Sequence, residues 1–568
     1  MKNEVTKLSP APSGMPLLRF LAPDQETQRR ILIDASVSGV ANSALLMVTN
    51  MAASKGGSLV QMALFGLLFA LYVFCFRSCF NRVTQLFEQA LERQRISIAN
   101  TIRALDLRGL DQLQQTTVYN RLTQQTTIIS DAAGVLAASL QSAVLVVFTA
   151  AYLASMSIPA FLLTTLVIGG GILIYVARSA EVNAGMRETS EREMGFFASI
   201  GDLLGGFKEL KLSKRRSDAL FDRLAGEANA VRLLKVRTAD MFNTNYIFAY
   251  SLFYALIGVL VFVMPAHQTG GSADVMRLTA IVLFVIGPLS TVIAGIPALS
   301  KSTLAATEIA SLQDEIARLD QGTSGQNASS GDVAATPKNQ TPPTAFSTIE
   351  LKGVGFHYDG QAERFGVGPM NLTVHSGETL FITGGNGSGK STLLKLLCAL
   401  YRPDAGQHLL DGIPIEQVGL QNYREMFSAI FSDFHLFKTL DGSDGVDPVT
   451  VQALLQLMQI DSKTRFEGGG FSTLNLSTGQ RKRLALVVAL LENRPVMIFD
   501  EWAADQDPEF RRYFYEHLLG DLKRKGKTII AVTHDEHYLH HADRIAKMEY
   551  GRIELVAVPR KDGGSTLA

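Results

Sequence analysis

The most chemically specific stretch of the sequence is GGNGSGKST, residues 384–392. It follows the apolar run ETLFIT (378–383) and precedes LLKLLCALY, so the spacing predicts a phosphate-binding loop between a strand and a helix. The glycines let backbone N–H groups converge on phosphate oxygens, and the helix dipole adds to the attraction. Lys390 would neutralise the β- and γ-phosphates, and the Ser391 hydroxyl would bind Mg²⁺. The candidate nucleotide-binding residues in this loop are Gly384, Gly385, Asn386, Gly387, Ser388, Gly389, Lys390, Ser391 and Thr392.

Two later strands are expected to end beside this loop. The run PVMIFDE (495–501) ends in two carboxylates. Asp500 would complete the Mg²⁺ shell, and Glu501 would orient and polarise an attacking water. The run KTIIAVTHD (527–535) includes His534, which can donate a hydrogen bond to a γ-phosphate. The sequence therefore predicts an ATP hydrolase that uses Mg²⁺, with Ser391 and Asp500 as metal ligands. The predicted catalytic residues are Glu501, His534 and Lys390.

The neighbouring histidines and an upstream aromatic residue have more than one interpretation. His537, His540 and His541 follow His534, and a metal cluster is conceivable. Because the adjacent His540 and His541 cannot share a helix face, surface histidines are the favoured interpretation. In VGFHYDG (354–360), Tyr358 would either stack on adenine or pack against its own strand.

A second anion site is predicted at NLSTGQRKR, residues 475–483. The following residues, up to the Asp500 strand, form a helical pattern, so this segment lies at a helix start, where anions bind favourably. A position beside the chain's own phosphate loop does not suit this segment, because a short helical region separates the two in the sequence. Contact with the γ-phosphate of ATP bound by a second copy is the simpler arrangement. Two copies facing head to tail would then bury two ATP molecules between them. The candidate residues are Ser477, Thr478, Gly479 and Gln480.

The first 300 residues have a different composition from the rest of the 568-residue chain. The long uncharged runs lie there, and each is long enough to cross a bilayer, which takes about 20 residues. Buried helices of a soluble core would keep a polar face, so a transmembrane domain is favoured. The formal net charge is zero, so nothing predicts a nucleic-acid partner. The six predicted spans are 31–54, 56–80, 132–155, 158–178, 243–265 and 277–300.

Loop charge predicts the orientation of these spans. Arginine and lysine are concentrated between spans two and three and between spans four and five, which places both loops, both termini and the phosphate-loop domain in the cytoplasm. No obvious carboxylate or histidine lies at membrane depth, since Asp34 is near the start of the first span, so ion coupling is not predicted. The predicted boundaries are an N-terminal segment 1–30, a transmembrane domain 31–319, a flexible linker 320–345, a nucleotide-binding domain 346–560 and a tail 561–568.

These motifs, in this order, resemble the nucleotide-binding domain of an ATP-binding-cassette (ABC) transporter. Six preceding spans resemble an exporter half-transporter, whose fold would be an all-α six-helix transmembrane domain with long intracellular helices, fused to a cytoplasmic α/β P-loop ABC ATPase domain. The resemblance implies a homodimer with coupling helices, expected near Leu105–Gln114 and Glu188–Asp202. AADQD (503–507) matches the family's D-loop, with Asp507 as its aspartate. LSTGQ differs from the usual LSGGQ at Thr478.

One departure from the family concerns a glutamine that touches Mg²⁺. In FSAIFSDFHLF (427–437) its position is taken by Ser432, with Asp433 next to it as the alternative substitute. This stretch and DEWAADQDP (500–508) are similar to a bacterial subfamily of cyclic-peptide and siderophore-precursor exporters, which includes exporters of microcin-like lasso peptides, lipopeptides and pyoverdine precursors.

The resemblance implies ATP-driven export of a peptide-like compound across the bacterial inner membrane, with alternating access. A lipid or lipid-linked-sugar flippase would share every ATPase motif and is the alternative. A peptide-processing exporter needs an N-terminal cysteine nucleophile, yet no cysteine precedes Cys75. Cys75 and Cys79 are interpreted as packing residues rather than a metal or redox pair. A gating ATPase without turnover is disfavoured by the intact Glu501 and LSTGQ.

Overall fold

The computed structural model describes residues 16–21, 24–113, 118–119, 121–263, 272–323, 343, 345–358, 366–442 and 445–557. The chain divides into two compact units. The first comprises Met1–Arg103 and Leu113–Arg318, and the second comprises Ala104–Gln112 and Leu319–Ala568. A nine-residue segment from the helical half of the sequence therefore belongs to the second unit.

The described part of the first unit is helical. Its helices alternate with short turns that the sequence marks clearly: Met156 ends one helix, and the Ser157 side chain caps the next by accepting from Ala160 N at 3.4 Å. Ser213 caps the helix that begins at Lys214 in the same way. The helices are Pro16–Leu21, Gln25–Lys55, Leu59–Ala104, Thr126–Met156 (preceded by a π-helical turn Arg121–Gln125), Ile158–Gly205, Phe207–Leu212, Lys214–Gly258 (continued by a π-helical turn Val259–Val263) and Ser272–Thr323.

Four of these helical segments are long and apolar enough to cross a membrane: Gln25–Ala52, Leu59–Ala104, Arg121–Met156 and Arg277–Leu319. Two shorter apolar stretches, Ile158–Ile174 and Tyr250–Val263, coincide with the fourth and fifth predicted spans. In the most apolar window of Leu59–Ala104 only 6% of the residues are buried within the chain. An apolar surface of this extent is suited to lipid rather than to water. The six-span count stays a prediction.

Small and polar residues mediate contacts between these helices. Cys75 and Cys79 are buried, as their interpretation as packing residues predicts. Asp34 accepts a hydrogen bond from Ser78 at 2.7 Å and pairs with Arg82 at 3.0 Å, so its charge is compensated inside the unit.

Two sequence expectations need correction here. Glu188–Asp202, expected as a separate coupling helix, lies inside the continuous helix Ile158–Gly205. The chain breaks only at Gly206, and the short helix Phe207–Leu212 occupies the turn. The predicted linker also begins too early, because the helix Ser272–Thr323 runs through its first four residues. Strong helix formers directly before the polar run carry the helix past residue 320. Most of the remaining linker, like the tail 561–568, lies outside the described residues.

The second unit is an α/β domain built on three sheets. The strands are β1 Thr348–His357, β2 Gly366–His375, β3 Thr379–Gly384, β4 Ala405–Leu410, β5 Ile413–Pro414, β6 Phe427–Ile430, β7 Phe466–Glu467, β8 Gly470–Phe471, β9 Val496–Asp500, β10 Thr528–Val532, β11 Arg544–Glu549 and β12 Arg552–Ala557. A six-stranded sheet has the order β12-β11-β3-β10-β9-β6, a four-stranded antiparallel sheet has the order β2-β1-β4-β5, and β7 pairs with β8.

Helices cover the six-stranded sheet, and its central strands are mostly apolar, with Asp500 at the end of β9 and Thr528 at the start of β10. Every residue of β9 and β10 is buried, as expected for parallel strands with both faces covered. The helices of the second unit are Leu107–Gln112, Lys390–Leu397, Ile415–Val418, Leu420–Arg424, Pro448–Leu457, Thr478–Glu492, Pro508–Tyr513 and Leu519–Arg524, with a π-helical turn Phe514–Leu518 and 3₁₀ turns Trp502–Asp505 and Glu536–His541.

The segment Ala104–Gln112, which we call the docking segment, is bound to this domain by charged side chains. Asp106 pairs with Arg402 at 2.9 Å and with Arg424 at 3.3 Å, and its side chain is only 13% exposed. Arg108 pairs with Asp404 at 2.8 Å. This segment overlaps the first expected coupling helix, Leu105–Gln114, although Gln114 itself lies outside the described residues.

An aromatic contact reinforces the docking segment. Tyr401 donates its hydroxyl hydrogen to Asp111 and stacks on Phe356 with ring centroids 4.6 Å apart. Burial raises the pKa of Tyr401, and the Asp111 carboxylate raises it further, so the hydroxyl stays protonated and able to donate. The guanidinium of Arg108 lies over the Phe356 ring at 5.2 Å. Two groups of charged side chains and one aromatic pair thus fix the position of the docking segment on the domain.

Candidate nucleotide-binding site

The predicted phosphate loop connects β3 to the helix Lys390–Leu397, as expected. Gly384 and Gly389 adopt φ of 143° and 102°, and a Cβ at either position would lie 2.2 Å from Met548 O or 2.5 Å from Val367 Cγ1. Only glycine fits both the backbone conformation and the space at these positions. Gly385, Asn386 and Gly387 are exposed on the rim, whereas Ser388, Lys390 and Thr392 are buried beneath it.

Lys390 lies at the centre of this loop. Its Nζ donates to the backbone oxygens of Gly384 and Gly385, both at 3.0 Å, and lies 4.0 Å from Glu501 Oε1. The side chain is therefore folded back over the loop, with its ammonium group bonded to backbone oxygens of the loop. This arrangement suits neutralisation of a phosphate bound there.

Ser391 and Asp500, the predicted metal ligands, are brought together by the helix and β9. The Ser391 hydroxyl donates to Asp500 Oδ2 at 3.0 Å. Among the described residues, no hydrogen bond of ordinary geometry reaches the other carboxylate oxygen, Oδ1, although it is buried. Burial raises the pKa of Asp500, an effect opposed by the hydrogen bond from Ser391. A buried carboxylate oxygen without a donor, next to a hydroxyl, is a donor set that Mg²⁺ accepts.

Ser432 and Asp433 lie shortly after β6, the strand that pairs with β9. Both side chains are exposed. Which of the two takes the place of the family's glutamine stays a prediction.

Glu501 and His534 follow two adjacent parallel strands and meet. His534 Nε2 lies 3.2 Å from Glu501 Oε1, within hydrogen-bond distance. Both side chains are partly exposed, 47% for His534 and 37% for Glu501, so a ligand can reach them. Within the described residues no group of three or more histidine, cysteine, aspartate or glutamate side chains is arranged to hold a metal, so the His537–His541 region gives no support to a metal cluster.

Tyr358 lies beside the phosphate loop but is engaged by its own domain. Its hydroxyl is 2.9 Å from the Thr392 hydroxyl, and its ring packs edge-on against Phe356 and Tyr401. The strand-packing interpretation therefore describes the contacts seen, and stacking on adenine stays a prediction.

The segment LSTGQ begins the helix Thr478–Glu492, as predicted. Ser477 is the N-cap and forms a capping box with Gln480: Gln480 N donates to Ser477 Oγ at 3.4 Å, and Ser477 N donates to Gln480 Oε1 at 3.1 Å. Ser477 and Thr478 are exposed. Across the part of the chain that the structure describes, no hydrogen bond joins this segment to the phosphate loop, and Gly479 instead contacts the 505–507 loop.

Asp507 starts the next helix and is held by two partners. It accepts from Phe510 N at 2.9 Å and pairs with Arg483, contacts that hold its pKa below the usual value. Arg483 Nε also donates to Gln506 Oε1 at 2.9 Å, and its guanidinium lies 3.7 Å from the Phe510 ring centroid. The LSTGQ helix and the predicted D-loop are thus one connected structure.

Three residues of this region were missed by the sequence analysis. Lys482, Trp502 and Asp505 surround the backbone of Glu501: Lys482 Nζ donates to Glu501 O at 2.7 Å and pairs with Asp505 at 2.7 Å. The one available signal was a lysine between two arginines at the start of a helix that is apolar further on, and periodicity alone treats such a lysine as solvated.

Comparisons with known proteins agree with this geometry. The family model described as ABC transporter matches residues 367–504. ATP-binding protein SyrD of Pseudomonas syringae pv. syringae is 34% identical over 533 residues, which cover 92% of this chain and 93% of that protein. An ATP-dependent lipid A-core flippase of Burkholderia orbicola (strain AU 1054) is 26% identical over 449 residues, 75% of this chain and 71% of that one. A solved structure of a bacterial Atm1-family ABC exporter with ATP bound has a TM-score of 0.69 at 19% identity and 95% coverage of both chains.

The chain therefore belongs to the ABC transporter family, and its fold is that of an ABC exporter. The predicted membership, fold class and ATPase activity are confirmed: a membrane protein in which ATP hydrolysis is coupled to transport. The assignments of individual site residues stay predictions.

Replacing Gly479 by alanine tests the contact between the LSTGQ helix and the 505–507 loop. The new Cβ would lie 2.6 Å from Asp505 O, so the loop must shift. Overpacking of this kind costs about 1–3 kcal/mol, and we expect Gly479→Ala to lower the ATPase rate by about tenfold or more. Gly520→Ala is the matched control, because a Cβ at Gly520, also in a helix, meets nothing within 4 Å. Equal rates for the two variants would contradict the expectation.

Proposed function

We propose that the chain acts as a homodimer that exports a peptide-like compound, such as a cyclic or lasso peptide, a lipopeptide or a siderophore precursor, across the bacterial inner membrane. Both termini and the ATPase domain lie in the cytoplasm in this proposal. ATP binding closes the two ATPase domains, and hydrolysis reopens them, so that the transmembrane helices alternate between inward and outward access.

The observation that carries the homodimer is the isolation of LSTGQ from the phosphate loop of its own chain. The N-terminus of a 15-residue helix exposes Ser477 and Thr478, and its described hydrogen bonds run to itself and to the 505–507 loop. Such a terminus attracts anions. The γ-phosphate of ATP bound by a second copy satisfies it, and each nucleotide then joins two subunits.

Hydrolysis follows from the groups at the edge of the sheet. Lys390 and the loop N–H groups bind the phosphates, and Ser391 with Asp500 would hold Mg²⁺, which balances phosphate charge. Glu501 accepts a hydrogen bond from the attacking water, and His534 donates one to the γ-phosphate when ATP is bound. Ser477 of the facing subunit adds a donor from the other side.

Two features support transmission of this motion to the helical unit. The docking segment is bound to the ATPase domain through Asp106, Arg108 and Asp111. At the other turn, Phe207 and Leu212 are 53% and 89% exposed. Apolar residues exposed outside the predicted spans are suited to a protein partner, and a second copy of this chain provides one.

The transported compound distinguishes the two candidate activities. The stretch around Ser432 and the segment 500–508 resemble those of peptide exporters, which favours a peptide-like compound. Similarity to a lipid A-core flippase over three quarters of the chain makes lipid the second candidate.

Stimulation of ATPase activity separates these candidates. For the full chain in nanodiscs, we expect cyclic, lasso or lipid-tailed peptides to raise the hydrolysis rate, because a transported compound favours the closed state. A panel of linear peptides and lipid A-type lipids is measured alongside. A flat response to all peptides, with stimulation by lipid, would replace the peptide proposal by the flippase.

Glu501→Gln tests the hydrolytic assignment. The amide keeps the shape of the side chain but cannot accept a proton, so we expect turnover to fall by about 10²-fold or more while ATP stays bound. Crosslinking or mass photometry should then report a closed dimer that persists with ATP. Hydrolysis at the normal rate in this variant would remove Glu501 from its role.

Asp106→Ala tests the docking segment. Its loss leaves Arg402 and Arg424 without their shared carboxylate partner, so we expect basal ATPase activity to remain within about twofold while stimulation by the transported compound is lost. Glu416→Ala, which removes an exposed carboxylate of the same domain, should keep the stimulation. Full stimulation in the Asp106 variant would exclude this segment from coupling.

A further inference from the structure

Lys482 is a cation buried next to the carboxylate that the proposed mechanism uses. Only 3% of its surface is exposed, and the residues that follow it on the helix, Leu484 and Leu486 among them, are buried too. A buried ammonium group is unfavourable unless its N–H groups find acceptors and its charge finds a partner. The contacts of Lys482 therefore show what compensates its burial.

Among the described residues, the side-chain hydrogen bonds and the ion pair that Lys482 makes outside its own helix involve the residues that directly follow β9. Its Nζ donates to Glu501 O at 2.7 Å and pairs with Asp505 Oδ2 at 2.7 Å. Its backbone oxygen accepts a hydrogen bond from Trp502 Nε1 at 2.9 Å. Trp502 is in turn 1% exposed and stacks on Phe514 at 4.6 Å. Both ends of the lysine are thus fixed to a turn that is itself anchored in the core.

Glu501 has a backbone conformation that needs such support. Its φ of 50° and ψ of 36° lie in the left-handed region, which a residue with a side chain rarely adopts. Its N–H donates to Val532 O at 3.2 Å, and its carbonyl oxygen accepts from Lys482. These bonds fix the peptide groups on both sides of the Glu501 Cα, and the side chain is thereby directed to His534 and Lys390.

We propose that Lys482 is a positioning residue for ATP hydrolysis: its ammonium group holds the left-handed turn at Glu501 and so sets the position of the carboxylate that receives the attacking water. The inference rests on the role proposed for Glu501. Lys482 does not touch the nucleotide, and it acts only through the Glu501 backbone. It also joins the LSTGQ helix, which begins four residues earlier, to the catalytic edge of the same chain.

Steady-state kinetics of the full chain in nanodiscs test this role. Lys482→Met removes the donor and keeps the length, and we expect kcat to fall by about tenfold to a hundredfold, as displacement of a catalytic group by about 1 Å does. KM for ATP should stay within about twofold, because the binding groups are untouched. Lys482→Gln retains an N–H donor and should recover part of the loss in kcat. Lys525→Met, an exposed lysine of the same domain, should behave as the wild type.

A double-variant comparison separates positioning from general stability. Residues that act as a unit are strongly non-additive, so adding Lys482→Met to Glu501→Gln should not slow single-turnover hydrolysis further. A wild-type kcat in Lys482→Met, or the same additional loss in the Glu501→Gln background, would overturn the inference. If Lys482→Met does not fold, as judged by thermal unfolding, Lys482→Gln must show lowered kcat at normal KM, and a wild-type kcat there overturns it equally. Normal hydrolysis by Glu501→Gln alone would instead overturn the proposed role of Glu501.

Discussion

The catalytic part of the molecule depends on the parallel pairing of β3, β10 and β9. Ala531 pairs with Phe381 on one side and with Phe499 on the other, and Val532 pairs with Asp500. Because parallel strands end at the same edge of a sheet, the phosphate loop, His534 and the Asp500–Glu501 pair emerge side by side. The strands are buried on both faces, and a slip of one residue would move every side chain to the opposite face. The apolar core of the domain thereby fixes the positions of its polar groups.

The turn after β9 sets the direction of the Glu501 carboxylate. Glu501 has a left-handed backbone conformation, and the next residue, Trp502, packs in an aromatic cluster. Lys482 donates a hydrogen bond to the Glu501 carbonyl oxygen, which lies between these two residues. Since Lys482 and Arg483 both lie on the helix that begins at LSTGQ, the same helix contacts the catalytic turn and the predicted D-loop. The LSTGQ helix and the Glu501 turn are therefore in direct contact through the Lys482 side chain.

Ion pairs and an apolar contact both attach the docking segment. Asp106 is shared by two arginines, and Arg108 pairs with Asp404, with Tyr401 contributing an aromatic contact to the same patch. Leu107 packs against the apolar core of the domain. Removing one partner of the ion-pair network costs more than an exposed ion pair is worth, because the remaining charges lose their compensation.

Motifs whose chemistry is local could be read from the amino-acid sequence alone. A glycine loop between a strand and a helix, carboxylates at a strand end and a capped LSTGQ helix are each specified by a few consecutive residues, so their secondary structure and type of site were predictable. The long uncharged runs likewise predicted the apolar helices. Segment boundaries that depend on where a helix stops were less predictable, as the continuous helix through Glu188–Asp202 and the helical start of the linker show.

Contacts between residues far apart in the sequence became visible in the folded chain alone. Lys482 and Glu501 are 19 positions apart, and Asp106 lies almost 300 positions before Arg402. No periodicity in a single sequence encodes that a lysine on a helix reaches a carbonyl after a strand, or that Tyr358 faces Thr392 and Tyr401 as well as the phosphate loop. Such contacts are fixed by the packing of helices on the sheet, because burial of the apolar faces sets the distances between the polar groups they carry.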